Sequence, residues 1–246
     1  MGTDNVPSWN LPVLIDGDIV AYRAAASCED RGVKGAIDKV DDYISNIVGQ
    51  CLHLKSSHLY EIFLTGKTNF RFDIAKTADY KGNRKDSPKP RHLKAVREYM
   101  IAEYGASVSS GEEADDAIAR AATEYDYECI VASIDKDFKQ VPCWHYNFVK
   151  HQLFKVEEFE GLEYFYQQVL TGDAADNIKG LVGIGPVKAT KLLKGCKTEH
   201  ELYLKCVKAY GGDEERVLEN GRLLWLRRTT EELWEPPVKT KEEVTR

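Results

Sequence analysis

Three short apolar runs, two of them closed by aspartates, constrain this 246-residue chain most. Leu11–Ile15 (LPVLI) leads into Asp16-Gly17-Asp18, Tyr60–Leu64 (YEIFL) into Thr65-Gly66, and Cys129–Ile134 (CIVASI) into Asp135. Each has the length of a strand and lacks the alternation of a strand with one wet face. Helical spacing fills the intervals. Ile37, Val40, Ile44, Ile47, Val48, Cys51 and Leu52 fall at helical intervals, and a second helix is predicted over about Glu112–Tyr125. Strands alternating with helices predict a parallel α/β sheet covered on both faces, with functional groups collecting at the strands' C-terminal ends.

After about His151 the texture changes to helical patterns over Glu157–Leu170, Val187–Leu193, Glu199–Tyr210 and Glu214–Arg228, with a glycine-rich stretch from Gly172 to Gly185. The tail from Glu235 is predicted to be flexible. At 43% hydrophobic residues the chain can bury a sizeable core. No apolar run approaches the ~18 residues of a membrane span. The opening Met1–Asn10 does not read as a signal peptide, so a soluble, cytoplasmic protein is expected. Six cysteines without a CxxC pair point to reduced thiols and away from zinc.

The net charge of −6 hides a segregation. From Lys67 to Arg97 there are ten Lys/Arg, among them Lys67, Arg71, Lys81, Arg84, Lys85 and Arg91, against three Asp. Phe70, Phe72, Tyr80 and Tyr99 are interleaved with them, the composition of a single-strand channel. A solvated lysine-rich loop is the commoner fate of such a run; the bias of ten to three favours a polyanion partner. Pro88 and Pro90 bar a continuous helix through its middle.

Carboxylates gather in four groups: Asp16/Asp18; Glu112, Glu113, Asp115 and Asp116; Asp135/Asp137; and Asp173/Asp176. Singly each has a plain reading as a cap or a turn, Ser110-x-x-Glu113 as a capping box for instance. Together at one sheet edge they would repel strongly, by about 4 kcal/mol for a pair ~4 Å apart at an effective dielectric of ~20. All-oxygen ligation suits Mg²⁺ or Mn²⁺, and two such ions can drive phosphodiester hydrolysis. Gly183-Ile184-Gly185-Pro186 before a helix lets the backbone approach a phosphate, with Lys179, Lys188, Lys191 and Lys194 nearby. The six histidines are dispersed and none is given a catalytic role.

At this point the chain resembles the flap endonuclease/5′–3′ exonuclease superfamily, especially its small phage-encoded members. The matching segments are LIDGD (14–18), NFRFDIAKTADYKGNRK (69–85), GEEADDAIA (111–119), SIDKDFKQV (133–141) and TGDAADNIKGLVGIGPVKATKLL (171–193), in family order. The resemblance implies a PIN-like core over 1–155 with a helical arch at about 81–97. It implies a helical region over 156–234 carrying a helix–three-turn–helix DNA-binding element at about 172–194, before a tail at 235–246. Asp16, Glu113, Asp115 and Asp116 would hold one metal, and Asp135, Asp137, Asp173 and Asp176 would surround a second, both Mg²⁺ or Mn²⁺. Lys81 and Arg84 match cations at the scissile phosphate, and Arg23 matches another active-site cation of some members. Lys67, Arg71, Tyr80, Lys85, Arg91, Gly183, Ile184, Gly185 and Lys188 would contact DNA, and the backbone of Val182 and Ile184 would hold K⁺. The implied substrate is DNA with a free 5′ end or 5′ flap, cut to leave 5′-phosphates during replication or recombination. RNA–DNA hybrids and replication proteins stand as further partners.

One departure stands out. Where the family places a carboxylate at the end of the second strand, this chain has Leu64-Thr65-Gly66; Asp18 or additional waters are expected to compensate. A catalytically weakened DNA-binding protein is therefore one alternative. Another is a haloacid-dehalogenase-type phosphatase, in which LIDGDIV would be the nucleophile loop; that class requires GDAAD to follow a strand, whereas here it follows a helical pattern.

Overall fold

The computed structural model describes residues 11–53, 59–85, 87–230 and 233–238. In chain order the elements are β1 (Val13–Asp16), α1 (Gly17–Ala26), α2 (Gly32–His53), β2 (Tyr60–Leu64), α3 (Arg71–Ile74), α4 (Leu93–Tyr104), β3 (Ser107–Val108), α5 (Ala114–Glu124), β4 (Ile130–Ala132), β5 (Trp144–Asn147) and β6 (Gln152–Lys155). They continue with α6 (Glu158–Thr171), β7 (Gly172–Asp173), β8 (Ile178–Lys179), α7 (Pro186–Leu193), α8 (Glu199–Ala209) and α9 (Glu214–Leu224). The chain divides into two compact units: one runs up to Asn69 and resumes over Pro88–Val156, the other comprises Phe70–Ser87 and the chain from Glu157 onward. The expectation of a contiguous first domain over 1–155 thus differs in one stretch, since Phe70–Ser87 packs with the helical part.

In the first unit the strand order is β3-β2-β1-β4-β5-β6; the first five are parallel and β6 runs antiparallel to β5. β1 is buried along its whole length, as its unbroken apolar sequence requires. Val20, Ala24, Val40, Ile44 and Ile47 of α1 and α2 join Val96 and Met100 of α4 in one core with Val13, Ile15, Ile62 and Leu64. The chain runs outward from β1 through β2 to β3, then returns through α5 to β4 on the opposite side of β1. That reversal puts the topological switch point between the C-terminal ends of β1 and β4. Gly17 is required there: a Cβ would stand 2.5 Å from the Phe63 carbonyl oxygen.

In the second unit, α6 to α9 enclose Phe165, Tyr166, Val169, Leu170, Leu193, Leu202, Cys206 and Val217, with Trp234 laid against Phe165 at 5.4 Å between centroids. The helix predicted to reach Arg228 stops at Leu224. The Arg71 side chain accounts for the stop, donating from Nε to the Leu223 carbonyl at 2.8 Å and from a terminal nitrogen to the Trp225 carbonyl at 2.9 Å, so end carbonyls are satisfied without another helical turn. Of the expected tail, Glu235 pairs with Arg222 and the Pro237 carbonyl bonds the His200 ring, while Val238 is exposed. Residues 239–246 lie outside the described ones. Among the described residues of the stretch predicted as an arch, a 3₁₀ turn over Gly82–Arg84 is followed by no helix before Leu93, in keeping with the two prolines.

Candidate active site

The first unit carries an acidic edge at its switch point. Asp16 closes β1 and caps α1, its Oδ1 accepting the Ile19 N–H at 3.1 Å. Its Oδ2 accepts the Ser133 hydroxyl at 2.6 Å, and Ser133 Oγ in turn accepts the Asp135 N–H at 2.9 Å. One relay therefore ties the ends of β1 and β4 together. Burial pushes the Asp16 carboxyl up to about 7; the bonds from Ser133 and Ile19 oppose the rise, while the charges of Asp18 and Asp135 add to it. Asp135 caps the 3₁₀ turn Lys136–Gln140 and accepts the Asp137 N–H at 2.9 Å.

Glu113, Asp115 and Asp116 open α5. The capping box is Glu113 with Asp116, the Asp116 carboxylate accepting the Glu113 N–H at 3.2 Å; Glu113 is the cap itself and not the third helical residue of a box begun at Ser110. Glu112 is drawn away from the edge, buried and paired with Arg120. Asp18 accepts the Thr65 N–H at 2.9 Å and pairs with Arg97. Asp18 and Asp135 thus act electrostatically on Asp16, although among the described residues no three His, Cys, Asp or Glu stand as a ready-made metal cage. Their chemistry fits a hard divalent cation: the donors are all oxygen, and a carboxylate held in a buried place with two more acids near it carries a charge cost such an ion relieves.

Arg23, on α1, lines an open cavity of about 420 Å³ with Lys39, Asp42, Tyr43, Asn46, Phe148, Val149 and His151. None of the edge carboxylates lines it, and its Nε is buried without a hydrogen-bond partner. Lys67 and Arg91 are exposed, the Arg91 N–H donating to Glu29 at 2.9 Å.

The second unit gathers cations around Asp176. Its carboxylate accepts the Tyr80 hydroxyl at 3.0 Å, lies 3.2 Å from an Arg84 terminal nitrogen and 3.7 Å from Lys81 Nζ, and its carbonyl accepts the Lys81 N–H at 2.9 Å. Lys81 adopts left-handed backbone (φ 52°), a conformation that costs a side-chain-bearing residue free energy and that these bonds hold in place. Asp173 is buried, with Oδ1 accepting the Ala175 N–H at 2.7 Å, and the GDAAD segment follows α6, a helix and not the strand a dehalogenase-type site needs. Gly185 caps α7 with Pro186 as its first residue, and Gly183 (φ +77°) turns the chain ahead of it. Lys188 Nζ donates to the Gly183 carbonyl at 2.8 Å, between Val182 and Ile184. Lys85 pairs with Asp79 at 3.0 Å.

Two expected DNA contacts lie inward: Arg71 is 2% exposed and its guanidinium donates to carbonyls at the end of α9, and Tyr80 is 3% exposed, its ring edge-on to Phe72 at 5.5 Å. Ser133 and Arg97 were not singled out from the sequence as site residues. Ser133 had a signal in its place two residues before Asp135; Arg97 had none beyond its charge.

A parallel sheet with carboxylates at its switch point, joined to a helical unit with a glycine turn before a helix, defines a PIN-like α/β protein. Residues 12–167 match the family described as 5′-3′ exonuclease, N-terminal resolvase-like domain, and the chain belongs to that family. Flap endonuclease Xni of Shewanella baltica (strain OS185) is 30% identical over 225 residues, covering 85% of this chain and 84% of its own length. The protein of that name from Shewanella sp. (strain W3-18-1) is 33% identical over 139 residues, 51% of this chain, which spans about half (53%) of that relative's length. The fold is also that of the bacteriophage T5 flap endonuclease, solved as a pseudo-enzyme–product complex with DNA and metal ions (TM-score 0.64, 15% identity, 85% of this chain and 86% of that one).

Proposed function

We propose that the chain is a divalent-metal-dependent 5′ nuclease, hydrolysing DNA phosphodiesters at or near 5′ ends to leave 5′-phosphates, as a 5′–3′ exonuclease with flap endonuclease activity. The observation that carries it is the buried Asp16 carboxylate at the switch point, tied through Ser133 to Asp135 at the end of β4 and followed two residues on by Asp18. Such an edge is poorly stable alone and suited to cations, Mg²⁺ or Mn²⁺ by its oxygen donors. Bound there, a divalent ion lowers the pKa of water and screens developing phosphoryl charge.

The chain's own residues do the rest. Asp16, Glu113, Asp115, Asp116, Asp135 and Asp137 of the first unit hold metal, and Asp173 and Asp176 of the second keep the ligand role the resemblance gives them. Ser133 orients Asp16. Lys81 and Arg84, whose side chains meet at Asp176, present positive charge to the phosphate. Arg23 binds a strand from its cavity. Gly183, Ile184, Gly185 and Lys188 approach the duplex backbone, a contact that reads shape and not sequence. The Lys188 ammonium on the Gly183 carbonyl supports a cation-accepting turn, as K⁺ at Val182 and Ile184 requires. Lys67, Lys85 and Arg91 add phosphate contacts, and RNA–DNA hybrids are a second substrate class.

Asp135→Ala and Asp137→Ala should each abolish cutting while DNA binding persists, measured by cleavage and by electrophoretic shift on one 5′-flap substrate. Wild-type cleavage rates in either variant would overturn the ligand assignment.

A further inference from the structure

The place where the family's carboxylate is missing is filled in this chain by an arginine. Thr65 follows β2, its N–H donating to Asp18 Oδ2 at 2.9 Å and its Oγ1 accepting the Ala114 N–H at the start of α5, also at 2.9 Å. Arg97 reaches in from α4, pairing with the other Asp18 oxygen through one terminal nitrogen and donating through the second to the Thr65 carbonyl. Its side chain is 25% exposed, and both terminal nitrogens are committed in a planar fork that stays charged at any working pH. Gly66 allows no alternative. Its N–H donates to Ser109 Oγ at 3.2 Å, and a Cβ on it would run into the Ser109 carbonyl. Asp18 lies in the first turn of α1, two residues after Asp16 closes β1, so the guanidinium on Asp18 acts on the same acidic edge.

We propose that Arg97 is the resident cation of this edge, neutralising its Asp18–Thr65 side from within the chain. A divalent ion would then be held with fewer free carboxylates, because the guanidinium already neutralises Asp18. Arg97 is a positioning residue: it fixes Asp18 and the end of β2, and it sets how much positive charge the edge still accepts. The inference rests on reading the edge as a metal site, and its test has a readout apart from cleavage.

Mn²⁺ binding to the whole protein without DNA is measured by electron paramagnetic resonance, with the metal-induced rise in Tm alongside. Arg97→Met frees Asp18, and Mn²⁺ should bind roughly tenfold tighter or more than to wild type, the scale of one unit charge removed from a partly buried site. Arg97→Lys keeps the charge and should stay near wild type. Arg97→Gln also removes the charge while keeping a polar side chain and should tighten Mn²⁺ in the same direction, which keeps the inference testable if Arg97→Met fails to fold. Mn²⁺ affinity equal to wild type in Arg97→Met or in Arg97→Gln overturns the inference. Failure of the wild-type protein to cut any 5′-ended DNA with Mg²⁺ would instead overturn the nuclease reading, and the Mn²⁺ comparison is scored without reference to it.

Discussion

Both oxygens of Asp16 are occupied, one capping α1 and the other taking the Ser133 hydroxyl, and yet burial raises the group to about 7 from 3.8. Because its folded pKa lies above the unfolded value, the fold favours the protonated form, and ionisation destabilises the fold progressively as pH rises from 3.8 towards about 7. Asp16→Asn should therefore abolish cleavage while raising stability, more at pH 8 than at pH 4, with an upper bound of about 4 kcal/mol. Thermal unfolding of both proteins at the two pH values checks the sign; an equal difference at both would contradict it. Lys81→Ala should cost mainly turnover, ~10²-fold or more as for other single charge-stabilising donors, in single-turnover assays at saturating enzyme. Arg71→Ala makes the opposite claim. It strands the Leu223 and Trp225 carbonyls and should cost about 3 kcal/mol in urea unfolding while leaving DNA affinity unchanged. Weakened DNA binding at full stability would restore Arg71 to the interface.

At the scale of elements, the strand ends decide what can be rebuilt. An acid at Gly66 collides with the Ser109 carbonyl, whereas one at Thr65 meets Arg97 and the start of α5. Gly66→Asp should be markedly destabilised, by several kcal/mol from the backbone clash. Thr65→Asp should fold and lower the Mg²⁺ concentration needed for cleavage; an unchanged requirement would mean that Arg97 already supplies all the charge this edge uses. The strands β1, β2 and β4 were legible because short, mainly apolar runs have few other homes, and at β1 and β4 the aspartates that follow mark the strand ends; α5 was legible to within two residues. The burial of Arg71 and Tyr80 was not legible, because a stripe of basic and aromatic residues does not say which members face inward. Arg97 and Ser133 were missed because their partners, Asp18 and Asp16, lie 79 and 117 residues away in the chain, a separation that local spacing cannot report.

At the scale of the whole molecule, a net charge of −6 coexists with acidic groups at one sheet edge and a basic stretch over Lys67–Arg97. Charge segregated in this way predicts DNA affinity that falls steeply with added salt, since phosphate neutralisation releases counterions. The central claim is metal-dependent cutting at 5′ ends. Its most direct test is cleavage of 5′-labelled blunt duplex and 5′-flap DNA in parallel, each with Mg²⁺ and with EDTA. Mg²⁺-dependent products are expected, mononucleotides from the duplex and flap-sized fragments from the flap, and none in EDTA. DNA that is bound but left uncut, in Mn²⁺ as well as Mg²⁺, would contradict it and mark the chain as a binding protein that lost catalysis with the carboxylate at Thr65.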